Sequence, residues 1–154
     1  MPPCSAPARI FTAAVGLAWL AACSGAPPAP PTPALTATPR PLSMSLAEIE
    51  AEYAALPPGE VEAGRKAFTS AGCAACHSLE PEKRIVGPTL AGIGARAPER
   101  EPGLSAELYL YKSLTRPDAY VVESFTPGLM PQTFYDTLAP QTQADLLAFL
   151  LTLK

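Results

Sequence analysis

Histidine is almost absent from this chain, since its 154 residues include only His77. One histidine excludes metal sites that take two from the same chain, such as a two-histidine facial triad or a haem bound by two histidines. Charge is also scarce, with 16 % charged residues and a net charge of −3. The chain therefore lacks both the basic stripe of a nucleic-acid-binding protein and the high charge of a fully disordered one.

Proline, by contrast, is abundant and unevenly distributed. The chain has 20 prolines, and seven of them lie between Pro27 and Pro41 among alanine, threonine and serine. Such a segment favours polyproline II and cannot form a core. Residues 23–44 are predicted to form a tether with a reach of at most ~65 Å, or alternatively a disordered leader. Residues 45–154 then remain for one compact domain.

The first 22 residues are typical of a secretory signal peptide. Arg9 is followed by an apolar stretch from Ile10 to Ala22, too short to span a bilayer, which needs about 20 residues. The stretch ends in Leu20-Ala21-Ala22-Cys23, which resembles the lipobox of bacterial lipoproteins. That resemblance implies lipidation of Cys23 and a periplasmic or other extracytoplasmic location at a membrane. The alternatives are ordinary cleavage that leaves Cys23 unmodified, or an uncleaved anchor.

The remaining sequence predicts an all-α domain with long loops. Helices are expected from the Ser45 capping box to about residue 56, over 60–71, from Ser105 to before Pro117, and from Pro140 onward. No stretch alternates apolar and polar residues over the length of a strand. Two loops rich in glycine and proline are expected over 87–103 and 118–139. Loops of this length suggest that the chain wraps a large prosthetic group.

One short motif indicates what that group is. Cys73-Ala74-Ala75-Cys76-His77 is the Cys-x-x-Cys-His attachment signature of a c-type haem. The two thiols add to the haem vinyl groups, and His77 is placed as the proximal iron ligand. A zinc ribbon needs further ligand pairs, a thioredoxin-like redox pair needs an α/β pattern, and a disulfide across two residues is strained.

Residues 58–154 resemble a class I, mono-haem cytochrome c. Gly64 and Phe68 match the glycine and aromatic residue of that family's N-terminal helix, and Leu146 and Phe149 match its C-terminal helix. The resemblance implies that the two helices cross closely, with Gly64 leaving room for backbone contact. Gly87-Pro88-Thr89-Leu90 is similar to the family's Gly-Pro-x-Leu, in which the proline carbonyl accepts the N–H of the proximal histidine.

The resemblance also implies a second axial ligand. Beyond the signal segment the chain has two methionines, Met44 and Met130, and Met130 matches the family's axial methionine. The alternative is that Met130 is a core residue. Arg96 lies at the spacing of the family's arginine near the haem propionates, although a solvent-facing arginine also fits. The family's haem-contacting tryptophan is missing, and three tyrosines are candidates to replace it: Tyr109, Tyr111 and Tyr120.

The resemblance implies a one-electron carrier with one covalent haem c, rather than an enzyme. The first hypothesis is a membrane-tethered shuttle between a quinol-oxidising complex and a terminal oxidase or reaction centre. The second is a fixed haem subunit, because Arg-Pro-Asp-Ala-Tyr at 116–120 and Leu-Met-Pro-Gln at 129–132 are similar to cytochrome c subunits of oxidases and of alternative complex III. The third is an enzyme or gas sensor, which needs an open iron site.

Overall fold

Every regular element in residues 43–154, the part of the chain that the computed structural model describes, is helical. The all-α prediction is confirmed. The predicted signal segment, Cys23 and nearly all of the tether lie outside the described residues. The elements in chain order are α1 (Leu46–Ala54), α2 (Val61–Ser70), α3 (Cys73–Cys76), α4 (Ile93–Arg100), α5 (Ala106–Thr115), a 3-10 helix (Pro117–Ala119), α6 (Phe134–Thr137) and α7 (Pro140–Leu151).

Helix α1 begins at the predicted capping box. The Ser45 hydroxyl accepts a hydrogen bond from the Glu48 backbone N–H, and the Ser45 N–H donates to the Glu48 carboxylate at 2.8 Å. These bonds to the Ser45 backbone and hydroxyl lower the pKa of the Glu48 carboxyl. Ile49 is buried in the core, and the ring of Tyr53 packs against that of Tyr111 on α5 with centroids 5.9 Å apart. Helix α1 therefore extends the hydrophobic core.

Helices α2 and α7 cross in close backbone contact at Gly64. A β-carbon on Gly64 would lie 1.9 Å from the carbonyl oxygen of Asp145, so only glycine fits there. One turn away, the rings of Phe68 and Phe149 pack with centroids 5.8 Å apart. Asp145 also accepts a hydrogen bond from the Glu60 N–H at 2.8 Å, which satisfies a donor at the start of α2. The expected role of Gly64 in this crossing is confirmed.

Helix α4 lies inside a segment that the sequence predicts as loop, and that prediction was wrong. Ile93 and Ala97, four residues apart, are both buried, so one face of the helix packs in the core. Pro98 lies within the helix and cannot donate to the carbonyl of Gly94. That carbonyl instead accepts from the Lys154 ammonium group at 3.4 Å. Tertiary packing thus compensates for a residue that usually ends a helix.

The other predicted helices agree with the structure to within about two residues at their ends. Ser105 caps α5 by accepting from the Leu108 N–H, and Pro140 occupies the first turn of α7. The short helix α6 and the 3-10 helix were not predicted, because elements of three or four residues show no periodicity. Among residues 43–154, no helix is long and apolar enough to cross a membrane.

Candidate functional site

A cavity of about 410 Å³ opens between the loops and helices α3, α5 and α7. Its volume lies within the range of small-molecule and cofactor sites, and its walls are mostly apolar. Five of the six predicted cofactor-binding residues line it: Cys73, Cys76, His77, Pro88 and Met130. The fold thus brings together residues that are up to 57 positions apart in the sequence.

The two cysteines are presented by a single helical turn. Gly72, in the left-handed region at φ +83°, precedes α3, and the His77 N–H closes the turn by donating to the Cys73 carbonyl at 2.9 Å. Both thiols are partly buried and free. Burial raises the pKa of the Cys73 thiol above its ordinary value. The motif therefore places both cysteine side chains at the same cavity.

The imidazole of His77 is fixed from two sides. Its Nδ1 lies 2.8 Å from the carbonyl oxygen of Pro88. A carbonyl only accepts hydrogen bonds, so this contact assigns the proton to Nδ1 and leaves the Nε2 lone pair available to a metal. Against the ring lies Gly87, where a β-carbon would be 2.5 Å from Cε1 of His77. The Gly87 N–H donates to the Cys76 carbonyl at 2.9 Å, so a hydrogen bond joins Gly87 to the last residue of α3.

Met130 approaches the cavity from the loop that precedes α6. It is partly buried and packs against the hydrophobic core, and the Gln132 side-chain amide donates to its carbonyl at 3.0 Å. Met44 also packs against the core, but it does not line the cavity. Within the described residues, Met130 is therefore the methionine positioned next to the site of the Cys-x-x-Cys-His motif.

The family of the chain follows from comparison with known proteins. The model of the cytochrome c family matches residues 61–154. The chain belongs to the cytochrome c family. No solved structure matches it. Membership implies a covalently bound haem c, to which the Cys73 and Cys76 pair fits, and haem-based electron transfer with redox protein partners. Cytochromes c are in general electron carriers.

The residues at the cavity of this cytochrome c fit a haem. The walls are apolar, both thiols are free, and the only ring nitrogen of His77 without a proton is Nε2. The contact of Gly87 with the His77 imidazole leaves no room for a side chain at position 87. No group of three or more His, Cys, Asp or Glu residues in the described range forms an alternative metal site.

Arg96 lies beside this cavity rather than in its wall. One terminal nitrogen of its guanidinium donates to the carbonyls of Thr89 at 3.1 Å and Ala91 at 2.6 Å. Its Nε is buried and has no hydrogen-bond partner among the described residues. Arg96 lines a smaller hollow of about 300 Å³, whose walls include Pro88 and Thr89 of the haem cavity. A propionate role for Arg96 stays a prediction.

The three candidate tyrosines separate clearly. Tyr111 is buried away from the cavity, and its hydroxyl donates to the Glu52 carboxylate at 3.2 Å. Tyr109 and Tyr120 both line the cavity, with their rings edge to face at 5.7 Å. Burial raises the pKa of the Tyr109 hydroxyl. Of the three tyrosines, only Tyr109 and Tyr120 line the cavity among the described residues, and a haem contact for either stays a prediction.

Two charged cavity residues were missed by the sequence reasoning. Arg100, on α4, and Asp118, on the 3-10 helix, both line the cavity. Asp118 is part of the Arg-Pro-Asp-Ala-Tyr pattern, but nothing in that pattern indicates what its carboxylate contacts. Arg100 lies in the segment that the sequence predicts as loop. No periodic pattern there indicates that its side chain faces the cavity.

Proposed function

We propose that this cytochrome c is a membrane-tethered one-electron carrier with a single haem c bound by His77 and Met130. The observation on which the proposal rests is that both side chains, together with Cys73 and Cys76, line one apolar cavity. Imidazole nitrogen and thioether sulfur are the axial ligands that raise the reduction potential of cytochromes c. With His77 and Met130 both bound, the iron would not be open to oxygen or peroxide.

Each residue of the chain has a distinct task in this proposal. When bound, haem c supplies one iron that alternates between Fe(III) and Fe(II). Cys73 and Cys76 attach the group covalently, so it stays bound even where its edge is exposed. Pro88 orients the imidazole of His77 and increases its basicity through the Nδ1–H hydrogen bond. The apolar walls exclude water, which limits the solvent rearrangement that accompanies each change of charge.

Electron exchange with another protein requires a surface close to the cofactor. Val86 and Leu129 line the cavity and are also about half exposed, at 45 % and 54 %. Large exposed apolar side chains at the mouth of a site are typical of surfaces that contact other proteins. These two residues support docking of redox partners at the cavity mouth. As partners we propose a quinol-oxidising complex and a terminal oxidase or reaction centre.

The proposed location rests on the sequence before residue 43. The lipobox-like Leu-Ala-Ala-Cys at 20–23 supports lipidation of Cys23, and the proline-rich residues up to 44 support a tether. The domain would then lie on the extracytoplasmic side of the membrane and move within reach of its partners. The alternative, a fixed haem subunit of a quinol-oxidising complex or an oxidase, rests on the 116–120 and 129–132 patterns.

The ligands are tested by optical spectra and redox titration of the membrane-extracted protein and of Met130→Ala. We expect the ferric wild type to show the weak far-red sulfur-to-iron band, and Met130→Ala to lose it with a large fall in reduction potential. Met44→Leu is the matched control and should keep the band. A high-spin native iron, or immediate binding of CO by the native reduced protein, would instead indicate an enzyme or sensor.

The anchor and the partners need separate experiments. Cys23→Ser should move the protein from the membrane fraction to the soluble extracytoplasmic fraction, and mass spectrometry of the wild-type N-terminus should show the added lipid. Extraction in mild detergent then distinguishes a shuttle from a subunit. A shuttle elutes alone, whereas a fixed subunit copurifies with a membrane complex in constant ratio.

A further inference from the structure

The loop that presents Met130 is largely exposed. Residues 123–129 are exposed except for Phe125, and Gly128 has a left-handed backbone at φ +77°. An exposed segment with few backbone hydrogen bonds opens at low free-energy cost. A ligand on such a segment stays in place only if something outside the segment fixes it.

Two side chains outside the segment contact it. Arg84 donates to the Ser124 carbonyl at 3.1 Å, at the start of the segment. The second contact lies next to Met130. Asp118, ten residues earlier, accepts a hydrogen bond from the Gly128 backbone N–H at 2.8 Å. This bond is made two residues before Met130, at the point where the backbone turns through its left-handed residue. Asp118 also lines the haem cavity, so the same residue contacts both the cavity and the loop that presents Met130.

The turn that bears Asp118 is itself firmly placed. Arg116, directly before the 3-10 helix, is buried, and its guanidinium lies 2.7 Å from the Glu52 carboxylate of α1. The same guanidinium donates to the Thr115 hydroxyl at 2.9 Å. Asp118 thus connects an exposed loop to a part of the fold that packing and an ion pair hold in position.

We propose that Asp118 is a positioning residue for Met130, which keeps the thioether at the iron by holding the backbone at Gly128. The proposal rests on Met130 as axial ligand. An amide N–H bonded to a carboxylate contributes more than a neutral pair, because the acceptor is charged. Loss of the bond should therefore favour the open loop, in which the sixth position of the iron accepts other ligands.

The test is imidazole binding to the ferric holoprotein, since imidazole must displace Met130 to bind. We compare Asp118→Ala, which removes the acceptor, with Asp118→Asn, which keeps an oxygen acceptor without the charge. Asp118→Ala should raise the affinity for imidazole about tenfold. Asp118→Asn should raise it clearly less, because the oxygen acceptor remains although its charge is lost. The control is Asp136→Ala, an exposed carboxylate on α6 with no side-chain hydrogen bond to the described residues, and it should match the wild type.

The far-red sulfur-to-iron band gives the second readout. In Asp118→Ala it should disappear at a lower imidazole concentration than in the wild type. If Asp118→Ala does not accumulate as holoprotein, Asp118→Ser replaces it, because its shorter side chain cannot reach the Gly128 N–H.

Equal imidazole affinities for wild type, Asp118→Ala and Asp118→Asn, in proteins that all show the band, would overturn the positioning role and leave Met130 ligation intact. Equal increases in Asp118→Ala and Asp118→Asn would also overturn it, since the charge rather than the hydrogen bond would then be responsible. Absence of the band from the wild type would overturn the proposed ligation itself, and the positioning role with it.

Discussion

The carbonyl oxygen of Pro88 lies 2.8 Å from Nδ1 of His77, and the glycine before that proline lies against the same imidazole ring. Gly87 and Pro88 therefore act together, one by leaving space for the ring and the other by fixing its proton. This pair leaves Nε2 of the chain's single histidine without a proton and able to bind a metal.

We expect Gly87→Ala to disturb the proximal side of the site. Its β-carbon would lie 2.5 Å from Cε1 and 2.8 Å from Nδ1 of His77, so the ring must move and the bond to Pro88 weaken. The measurements are the yield of covalent holoprotein and the Soret spectrum, both of which should change. Gly103→Ala is the control. Its β-carbon would meet no atom within 4 Å, so the substitution introduces only the backbone strain of a left-handed residue at φ +92°. An unaltered Gly87→Ala spectrum would contradict the expectation.

Gly64→Ala should destabilise the crossing of α2 and α7. The new β-carbon would lie 1.9 Å from the Asp145 carbonyl oxygen, so the two helices must separate. We expect a loss of about 3 kcal/mol in the free energy of unfolding, at the upper end for an overpacked core. Guanidinium unfolding of the holoprotein measures this loss. Ala63→Ser, at an exposed position on the same helix, should stay within about 0.5 kcal/mol of the wild type.

Glu52→Ala should destabilise the domain by about 3 kcal/mol, because it removes the carboxylate next to the buried guanidinium of Arg116. The hydroxyl of Tyr111 loses an acceptor in the same variant. Thermal unfolding followed by circular dichroism is the appropriate measurement. Glu50→Ala, on the exposed face of α1, is the matched control and should be near neutral. Similar melting temperatures for the two variants would show that the ion pair contributes little.

Stability should fall as the pH rises above about 10. Burial, followed by the nearby Glu52 carboxylate, raises the pKa of the Tyr111 hydroxyl above its ordinary value of 10.0. Above pH 10 the unfolded chain loses this proton while the folded chain retains it, so ionisation favours unfolding. Tyr111→Phe should therefore be less stable than the wild type at pH 7, where it lacks the bond to Glu52, but should lose less stability between pH 9 and 11. The measurement is the free energy of unfolding of both proteins at each pH. Equal losses for the two proteins between pH 9 and 11 would contradict a raised pKa at Tyr111.

Asp118→Asn should raise the reduction potential. The carboxylate lines the cavity, and a negative charge there favours the oxidised, more positive form of the cofactor. Redox titration of the purified holoprotein measures the change. Asp136→Asn removes a charge of the same sign outside the cavity wall, and its potential should change much less.

The elements predictable from sequence are those with a strong local signal. The Ser45 capping box, the periodic apolar residues of α7 and the Cys-x-x-Cys-His motif each specify a local structure over a few residues. The crossing at Gly64 was predictable only through the family resemblance, since a glycine in a helix by itself indicates nothing about its neighbour.

Features that depend on distant contacts were not predictable. Helix α4 includes Pro98, and its stability depends on the packing of Ile93 and Ala97 and on Lys154, which is 60 residues from Gly94. The Asp118 to Gly128 hydrogen bond likewise depends on how two loops meet. In α4, residues that locally favour a turn are overruled by tertiary contacts.

Helix α1 lies before residue 61, where the match to the cytochrome c family begins. A fragment trimmed to that boundary would leave the Arg116 guanidinium without the Glu52 carboxylate and would uncover the core residues that Ile49 packs against. A fragment that begins at residue 61 should therefore be less stable than one that begins at about Ser45.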